Sequence, residues 1–197
     1  MQRLSVVIPN YNYGRYLGAA IESALALEWP DVEVIVVDDG STDDSRQIIE
    51  SFETRITAVF QENSGPRVAC NVGFARSTGD VVIFLDSDDV LDPRIASELV
   101  AVWRRGISKV QFQMKRIDAD GGYLGSAFPT FDVVPTADLI RYWMSTTSAY
   151  PTPPGSGNAY SRQFLLRMFP LDGRCGDATD SACLARIMHG RAVSTAS

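Results

Sequence analysis

Apolar and polar positions fall into alternating blocks along the first half of the chain, short aliphatic runs followed by stretches with helical spacing. Leu4 to Ile8, Val32 to Val37, Ile56 to Phe60, Val81 to Leu85 and Lys109 to Met114 read as strands, most of them rich in β-branched residues. Between them, Tyr16 to Leu27 predicts a helix with Leu17, Ala20, Ile21, Ala24 and Leu25 on one face. Further helices are predicted around Ile48, Ile49 and Phe52, over Arg67 to Ala75 and over Ile95 to Trp103. Strands alternating with helices imply a largely parallel sheet with helices on its faces. Later in the chain, a helix is expected around Leu139, Ile140 and Trp143, and Arg162 to Phe169 reads as a packing helix. The Pro- and Gly-rich stretch Tyr150 to Gly157 between them predicts an irregular boundary between the core and the C-terminal part.

The chain's 197 residues and 45% hydrophobic content suit one α/β domain with at most a small appended subdomain. A formal charge of -6 argues against nucleic acid as a partner, because affinity for polyanions rests on clustered Lys and Arg. Cys70, Cys175 and Cys183 are odd in number and widely spaced, which predicts buried thiols in a reducing compartment. No stretch approaches the roughly 20 apolar residues of a membrane span, and the first strand begins almost at Met1, leaving no room for a signal peptide. The expected location is cytoplasmic. There is no transmembrane segment and no basic amphipathic helix, so membrane association at the inner face would be peripheral, through a lipid-linked acceptor.

Candidate chemistry sits at strand ends. The run Val81 to Leu85 delivers Asp86-Ser87-Asp88-Asp89 to its own C-terminal tip, where ligands collect in open α/β sheets. Carboxylates crowded this closely need a cation or hydrogen-bond donors, and Mg²⁺ or Mn²⁺ prefers such hard oxygen ligands. The competing reading is an acidic loop capping the helix after Pro93. Asp38-Asp39 ends the Val32 to Val37 strand, and parallel strands bring both tips to one edge, within reach of one ligand. Neither a G-x-x-x-x-G-K-[ST] loop nor a G-x-G-x-x-G follows the first strand, so phosphates would be held mainly through a metal.

Four ordered blocks carry a resemblance: Ser5-Val6-Val7-Ile8-Pro9-Asn10-Tyr11-Asn12, Val36-Val37-Asp38-Asp39-Gly40-Ser41-Thr42-Asp43, Asn63-Ser64-Gly65 with Asn71-Val72-Gly73, and Phe84-Leu85-Asp86-Ser87-Asp88-Asp89. Covering about the first half of the chain, they resemble the inverting family-two glycosyltransferases of the GT-A fold. The resemblance implies an α/β, Rossmann-like, mostly parallel sheet flanked by helices. Residues 1–115 would form the nucleotide-sugar-binding half, ending after the Asp-Ser-Asp motif, and residues 116–197 a small acceptor-side and catalytic-base region of the same domain. It further implies a nucleoside-diphosphate sugar donor contacted by Pro9, Tyr11, Asp39, Asn71, Asp86 and Ser87, with Asp88 binding the Mn²⁺ or Mg²⁺ that bridges the diphosphate. A carboxylate at Asp39 suits a pyrimidine ring N–H, and Tyr11 suits packing beside the base, which favours UDP and fits dTDP equally. The plainer reading of Asp39 is a helix-capping turn residue, a role better suited to Ser41 or Thr42. Asp89 reads as the cap of the following turn.

The family also carries a late carboxylate that takes the acceptor hydroxyl's proton. Its usual pattern is Glu-Asp opening a helix, Arg six positions after the Asp, and often His-Gly beyond. The matching segment is Thr179-Asp180-Ser181-Ala182-Cys183-Leu184-Ala185-Arg186, followed by His189-Gly190, which makes Asp180 the candidate base. Thr179 departs from the usual Glu, Asp177 is the competing carboxylate, and the plain reading of Asp180 is a first-turn helix residue facing the dipole. His189 reads as a structural residue outside the metal set. Cys70 stands where many relatives have Arg, and Arg67, one turn earlier, either supplies charge near the diphosphate or is merely exposed. Acceptor recognition is expected from Phe128 to Asn158, with Trp143 and Tyr150 either stacking on a sugar or packing in the core. The tail Arg191 to Ser197 is expected to fray. The implied function is metal-dependent transfer of a sugar to a saccharide or lipid-linked glycan acceptor, in glycan or cell-surface polysaccharide synthesis. The rival is a catalytically silent nucleotide-sugar-binding module. A sugar nucleotidyltransferase would need a glycine-rich basic N-terminal loop that this chain lacks.

Overall fold

The structure, a computed structural model, describes residues 3–147, 152–172 and 192–194. Its elements run β1 (Leu4–Asn10), α1 (Gly14–Leu25), β2 (Val32–Asp38), α2 (Ser45–Ser51), β3 (Thr57–Phe60), α3 (Pro66–Arg76), β4 (Val81–Phe84), α4 (Arg94–Val102) and β5 (Lys109–Gln111). They continue with β6 (Met114–Ile117), β7 (Tyr123–Phe128), α5 (Ala137–Thr147), β8 (Asn158–Ser161), α6 (Arg162–Leu165) and β9 (Ala192–Ser194). The central sheet has the order β3-β2-β1-β4-β8-β5-β9, and β6 and β7 form a separate hairpin. All central pairings are parallel except those of β8, which runs antiparallel to both β4 and β5. The expected α/β, mostly parallel architecture is therefore present.

Continuous apolar runs form these strands because both faces of the sheet are covered. Val6, Ile8, Val36 and Ile83 point to one side, against Leu17 and Ile21 of α1, Ile49 of α2 and Leu99 of α4. Val7, Ile35, Val82 and Phe84 point to the other, against Phe74 of α3, Ile140 of α5 and Phe164 and Leu165 of α6. An aromatic stack ties that second face together: Phe169 lies 4.4 Å from Phe74 and 5.4 Å from Phe84, ring centre to ring centre. Cys70 is a buried thiol on this face, whereas Cys175 and Cys183 lie outside the described residues. Trp143 packs against the same cluster, which gives it a core role. Among the described residues no helix is long and apolar enough to cross a membrane.

Several elements differ from the sequence reading. The strand expected over Lys109 to Met114 breaks after Gln111, and Met114 opens the hairpin instead. The stretch read as a boundary folds back onto the sheet: the Asn158 amide donates to the carbonyls of Pro153, Pro154 and Gly155 at 3.2, 2.8 and 3.3 Å. That amide supports a turn in which two prolines have no N–H of their own. The turn feeds β8 between β4 and β5, so the sheet joins residues on both sides of position 115. The helix expected over Arg162 to Phe169 stops at Leu165. Ala192–Ser194, within the tail expected to fray, pairs in parallel with β5.

α3 lies directly on the strands because Gly73 has no side chain; a β-carbon there would collide with Val7 and crowd Val37. Overpacking of this kind costs about 1–3 kcal/mol. Gly73→Val is expected to lower the unfolding free energy by that amount, read as a lower urea midpoint with an unchanged slope of the transition.

Two carboxylates set a pH dependence. Burial pushes the Glu33 carboxyl up, but the hydrogen bonds it accepts from Ser5, Thr78 and Gly79 outweigh that and hold it below the usual carboxylate range. Burial likewise pushes Asp43 up, and hydrogen bonds from Ser45 and the Gly14 N–H bring it down. A carboxylate whose pKa is lower folded than unfolded stabilises the fold fully above its unfolded value and loses that contribution as pH falls through the folded one. Stability measured by denaturant titration should therefore decline once pH drops below the ordinary carboxylate range, and Glu33→Gln should flatten that decline.

Candidate functional site

Parallel pairing in register brings Asn10 opposite Asp38 and Val7 opposite Phe84, so the tips of β1, β2 and β4 end at one edge. A cleft of about 540 Å³ opens there. Of the residues singled out in the sequence, Pro9, Tyr11, Asp39, Asp86, Ser87 and Asp88 line it, joined by Asn10, Tyr13, Asn63, Gly65, Pro66 and Ala69.

The acidic side chains divide by what they touch. Asp38 is buried, accepting the Asn10 amide at 2.9 Å and the Ser41 hydroxyl at 2.6 Å, so it ties β1 to the turn after β2. Asp39 is also buried. Its Oδ1 accepts Gln61 Nε2 at 2.6 Å and the Ser64 N–H at 2.9 Å, while Oδ2 accepts the Gly65 N–H at 2.8 Å. The 61–65 loop, which leads through Gly65 at φ 90° into α3 with Pro66 in its first turn, is thus clamped by one carboxylate. An ionised carboxylate offers about four acceptor positions, so Asp39 keeps room for a further donor on the cleft side. The capping role expected of Ser41 or Thr42 is not theirs: Asp44 is the N-cap of α2 without a side-chain bond, and Asp43 before it accepts the N–H groups of Gly14 and Ser45 at 2.9 and 3.0 Å.

At the tip of β4 the pattern reverses. Ser87 is buried and donates its hydroxyl to the Pro9 carbonyl at 2.8 Å, stapling β4 to β1. That staple leaves Asp86 and Asp88, on either side of it, exposed on the cleft. The Asp86 N–H donates to Ser156 Oγ at 2.9 Å, and the Asp89 N–H closes a turn onto the Asp86 carbonyl at 3.1 Å. Burial raises the Asp89 carboxyl; a Ser156 hydrogen bond offsets this in part, and Asp88 adds to it. Among the described residues no group of three or more His, Cys, Asp or Glu side chains gathers around one point. A cation here would rest on one or two carboxylates with ligand oxygens completing its shell, which is how Mg²⁺ is commonly held beside phosphates.

Asn71 does not join the cleft. Its amide donates to the Leu171 carbonyl at 3.0 Å and accepts the Leu171 N–H at 2.7 Å, so both ends fasten α3 to the chain after α6. Asp177, Thr179, Asp180, Arg186, His189 and Tyr150 lie outside the described residues. Asn63 and Gly65 belong to a block already singled out, but nothing in the Pro- and Gly-rich stretch around Ser156 marked it as a partner of the β4 tip.

This sheet, with its acidic strand ends converging on one cleft, defines a GT-A glycosyltransferase fold, and the solved structures agree. S. aureus TarS 1–349 superposes with a TM-score of 0.73 at 22% identity, over 98% of this chain and 58% of that one. The Pyrobaculum calidifontis mannosyltransferase in complex with GDP-Man and Mn²⁺ does so with a TM-score of 0.70 at 21% identity, over 99% of this chain and 55% of that one. Residues 5–167 match glycosyl transferase family 2, and the chain belongs to that family. An uncharacterised glycosyltransferase of Nostoc sp. is 41% identical over 175 residues, 86% of this chain and 54% of that protein. The chondroitin synthase of Escherichia coli is 27% identical over 95% of this chain and 29% of its own length. The chain thus spans about half the length of the first of these relatives, and less of the second.

Asp39→Ala would strip the acceptor from the Ser64 and Gly65 N–H groups. Hydrogen exchange at those amides should quicken by about 5- to 10-fold, the loss of one net hydrogen bond of about 1–1.5 kcal/mol each, while the β4 amides stay unchanged.

Proposed function

We propose that the chain is a metal-dependent, inverting glycosyltransferase that moves a sugar from a nucleoside diphosphate, UDP or dTDP in type, to a hydroxyl of a saccharide or lipid-linked glycan. The observation that carries this reading is the cleft itself, where a buried, loop-bound Asp39 and an exposed Asp86 and Asp88 face one space. TarS has been solved in complex with UDP-GlcNAc, and the archaeal neighbour with GDP-Man and Mn²⁺, which is consistent with a nucleotide sugar and a divalent cation here.

Asp39 supplies the remaining acceptor capacity for a ring N–H of a pyrimidine, and Tyr11, 45% exposed at the rim, offers a face for the base. Asp86 borders the same space beside it. Asp88 would hold Mn²⁺ or Mg²⁺, hard-oxygen chemistry that suits its carboxylate. When bound, the cation neutralises charge that develops on the departing diphosphate. Ser87 acts through the backbone, keeping the two carboxylates at a fixed height above β1. Asp180 is assigned to accept the proton of the attacking hydroxyl, with Asp177 as the alternative base. Asn71 makes no donor contact in this reading, since its amide is committed to Leu171.

Calorimetry of UDP, dTDP and GDP with and without Mn²⁺, followed by donor turnover on the same samples, tests this reading. Pyrimidine nucleotide binding that depends on metal, abolished together with turnover in Asp88→Asn, is the expected result. Asp180→Asn should lower the rate by about 10²- to 10⁴-fold with nucleotide affinity intact. Binding without turnover would favour the silent nucleotide-sugar-binding module, and a full-rate Asp180→Asn enzyme would move the base to Asp177.

A further inference from the structure

Two serines hold the tip of β4 from its two sides. Ser87 reaches the Pro9 carbonyl of β1, the neighbour on one side. Ser156 enters from the turn before β8, the neighbour on the other, and is 3% exposed. Its Oγ accepts the Asp86 N–H at 2.9 Å, at the first residue of the acidic turn that the Asp89 N–H closes onto the Asp86 carbonyl. The same hydroxyl works against the burial of the Asp89 carboxyl, at the last residue of that turn. The approach is close: a β-carbon on Gly155 would lie 3.8 Å from the Asp86 carboxylate.

The Ser156 hydroxyl does not hold its own turn together. Other groups do that: the Gly157 N–H donates to the Pro154 carbonyl and the Phe112 N–H to the Gly157 carbonyl, both at 3.0 Å, and the Asn158 amide gathers the carbonyls of Pro153, Pro154 and Gly155. Lys109, buried on β5, donates from Nζ to Thr152 Oγ1 at 2.8 Å, and a β-carbon on Gly157 would collide with Pro153. The 152–158 segment is therefore a rigid platform from which one hydroxyl reaches the acidic turn. Removing that hydroxyl leaves the platform standing and frees the backbone that carries Asp88.

We propose that Ser156 is a positioning residue for the candidate metal carboxylate: its hydrogen bond fixes the backbone of the Asp86–Asp89 turn in advance, so that Asp88 meets a divalent cation without first having to be ordered. Partners that orient a metal's ligands govern affinity for that metal, because binding then spends little on ordering them. The segment expected to meet the acceptor thereby serves the donor side as well. The use of this brace for a cation rests on the glycosyltransferase reading; the brace itself does not.

Ser156→Ala in the full chain tests this by two measurements. Amide hydrogen exchange without ligand reads the brace: the Asp86 N–H is expected to exchange about 5- to 10-fold faster, the loss of one net hydrogen bond, with the Phe112 and Gly157 amides unchanged. Calorimetry of Mn²⁺ at saturating UDP reads its use: Mn²⁺ affinity is expected to fall about tenfold or more, while donor turnover at saturating Mn²⁺ keeps its rate and only its Mn²⁺ requirement rises. Unchanged exchange at Asp86, equal loosening of Phe112 and Gly157, or native Mn²⁺ affinity with a loosened Asp86 would each overturn the proposal. Should the Ala variant fail to fold, Ser156→Cys, close in size but a weak hydrogen-bond acceptor, decides in its place. If the unsubstituted chain binds no Mn²⁺ beside UDP, the metal assignment falls and the positioning role with it, whereas the exchange at Asp86 still reports whether the brace exists.

Discussion

The shared direction and register of β2, β1 and β4 is the constraint on which the ligand edge depends. Because the three strands run parallel, every residue that follows one of them emerges at the same rim, and register decides how far each protrudes. Asn10 and Asp38 finish level and bond to each other, while β4 stops opposite Val7, so the chain beyond it has to climb past Pro9. The Ser87 hydroxyl on the Pro9 carbonyl fixes that climb. A slip of one residue would swap the side chains of the two faces, forcing each set into the layer packed for the other.

Within the rim, carboxylates serve two distinct purposes. Asp38, Asp39 and Asp43 spend their oxygens on donors from neighbouring turns, so their negative charge is met by hydrogen bonds and they act as ties. Asp86 and Asp88 are presented to solvent by a backbone whose own donors go to Ser156 and to the local turn. The first group makes the rim rigid; the second leaves negative charge facing the cleft. Preorganisation of this sort is what lets a site act on charge without reorganising itself.

The sequence was legible where one physical rule dominated. Strands β1, β2 and β4 are buried on both faces and so appear as unbroken aliphatic runs, and the acidic tips that follow them were found by that logic. It was least legible where several short-range rules competed. Asn158–Ser161 contains an Asn, a Ser and a Tyr, and it follows a stretch whose prolines announce a break, yet it pairs with β4 and β5 and completes the sheet, while the Asn158 amide ties down the carbonyls of that stretch. Asn71 sat within a block that pointed to the ligand, but its partner is Leu171, 100 residues away in the chain, a pairing that no local pattern encodes. Ser156 fell within the segment expected to meet the acceptor, and its contact with the Asp86 N–H was hidden for the same reason: it comes from what β8 places it against.

The antiparallel insertion of β8 has a consequence for how the molecule is made. During synthesis, β1 to β4 emerge early and can pair among themselves, but the outer edge of β4 finds its neighbour only after residue 158 has left the ribosome. Until then a strand of Val, Val, Ile and Phe presents unpaired backbone groups to solvent or to any other chain. The late-arriving strand is therefore a guard as well as a structural member, and the interval before it docks is when this nascent chain is most exposed to illegitimate edge pairing.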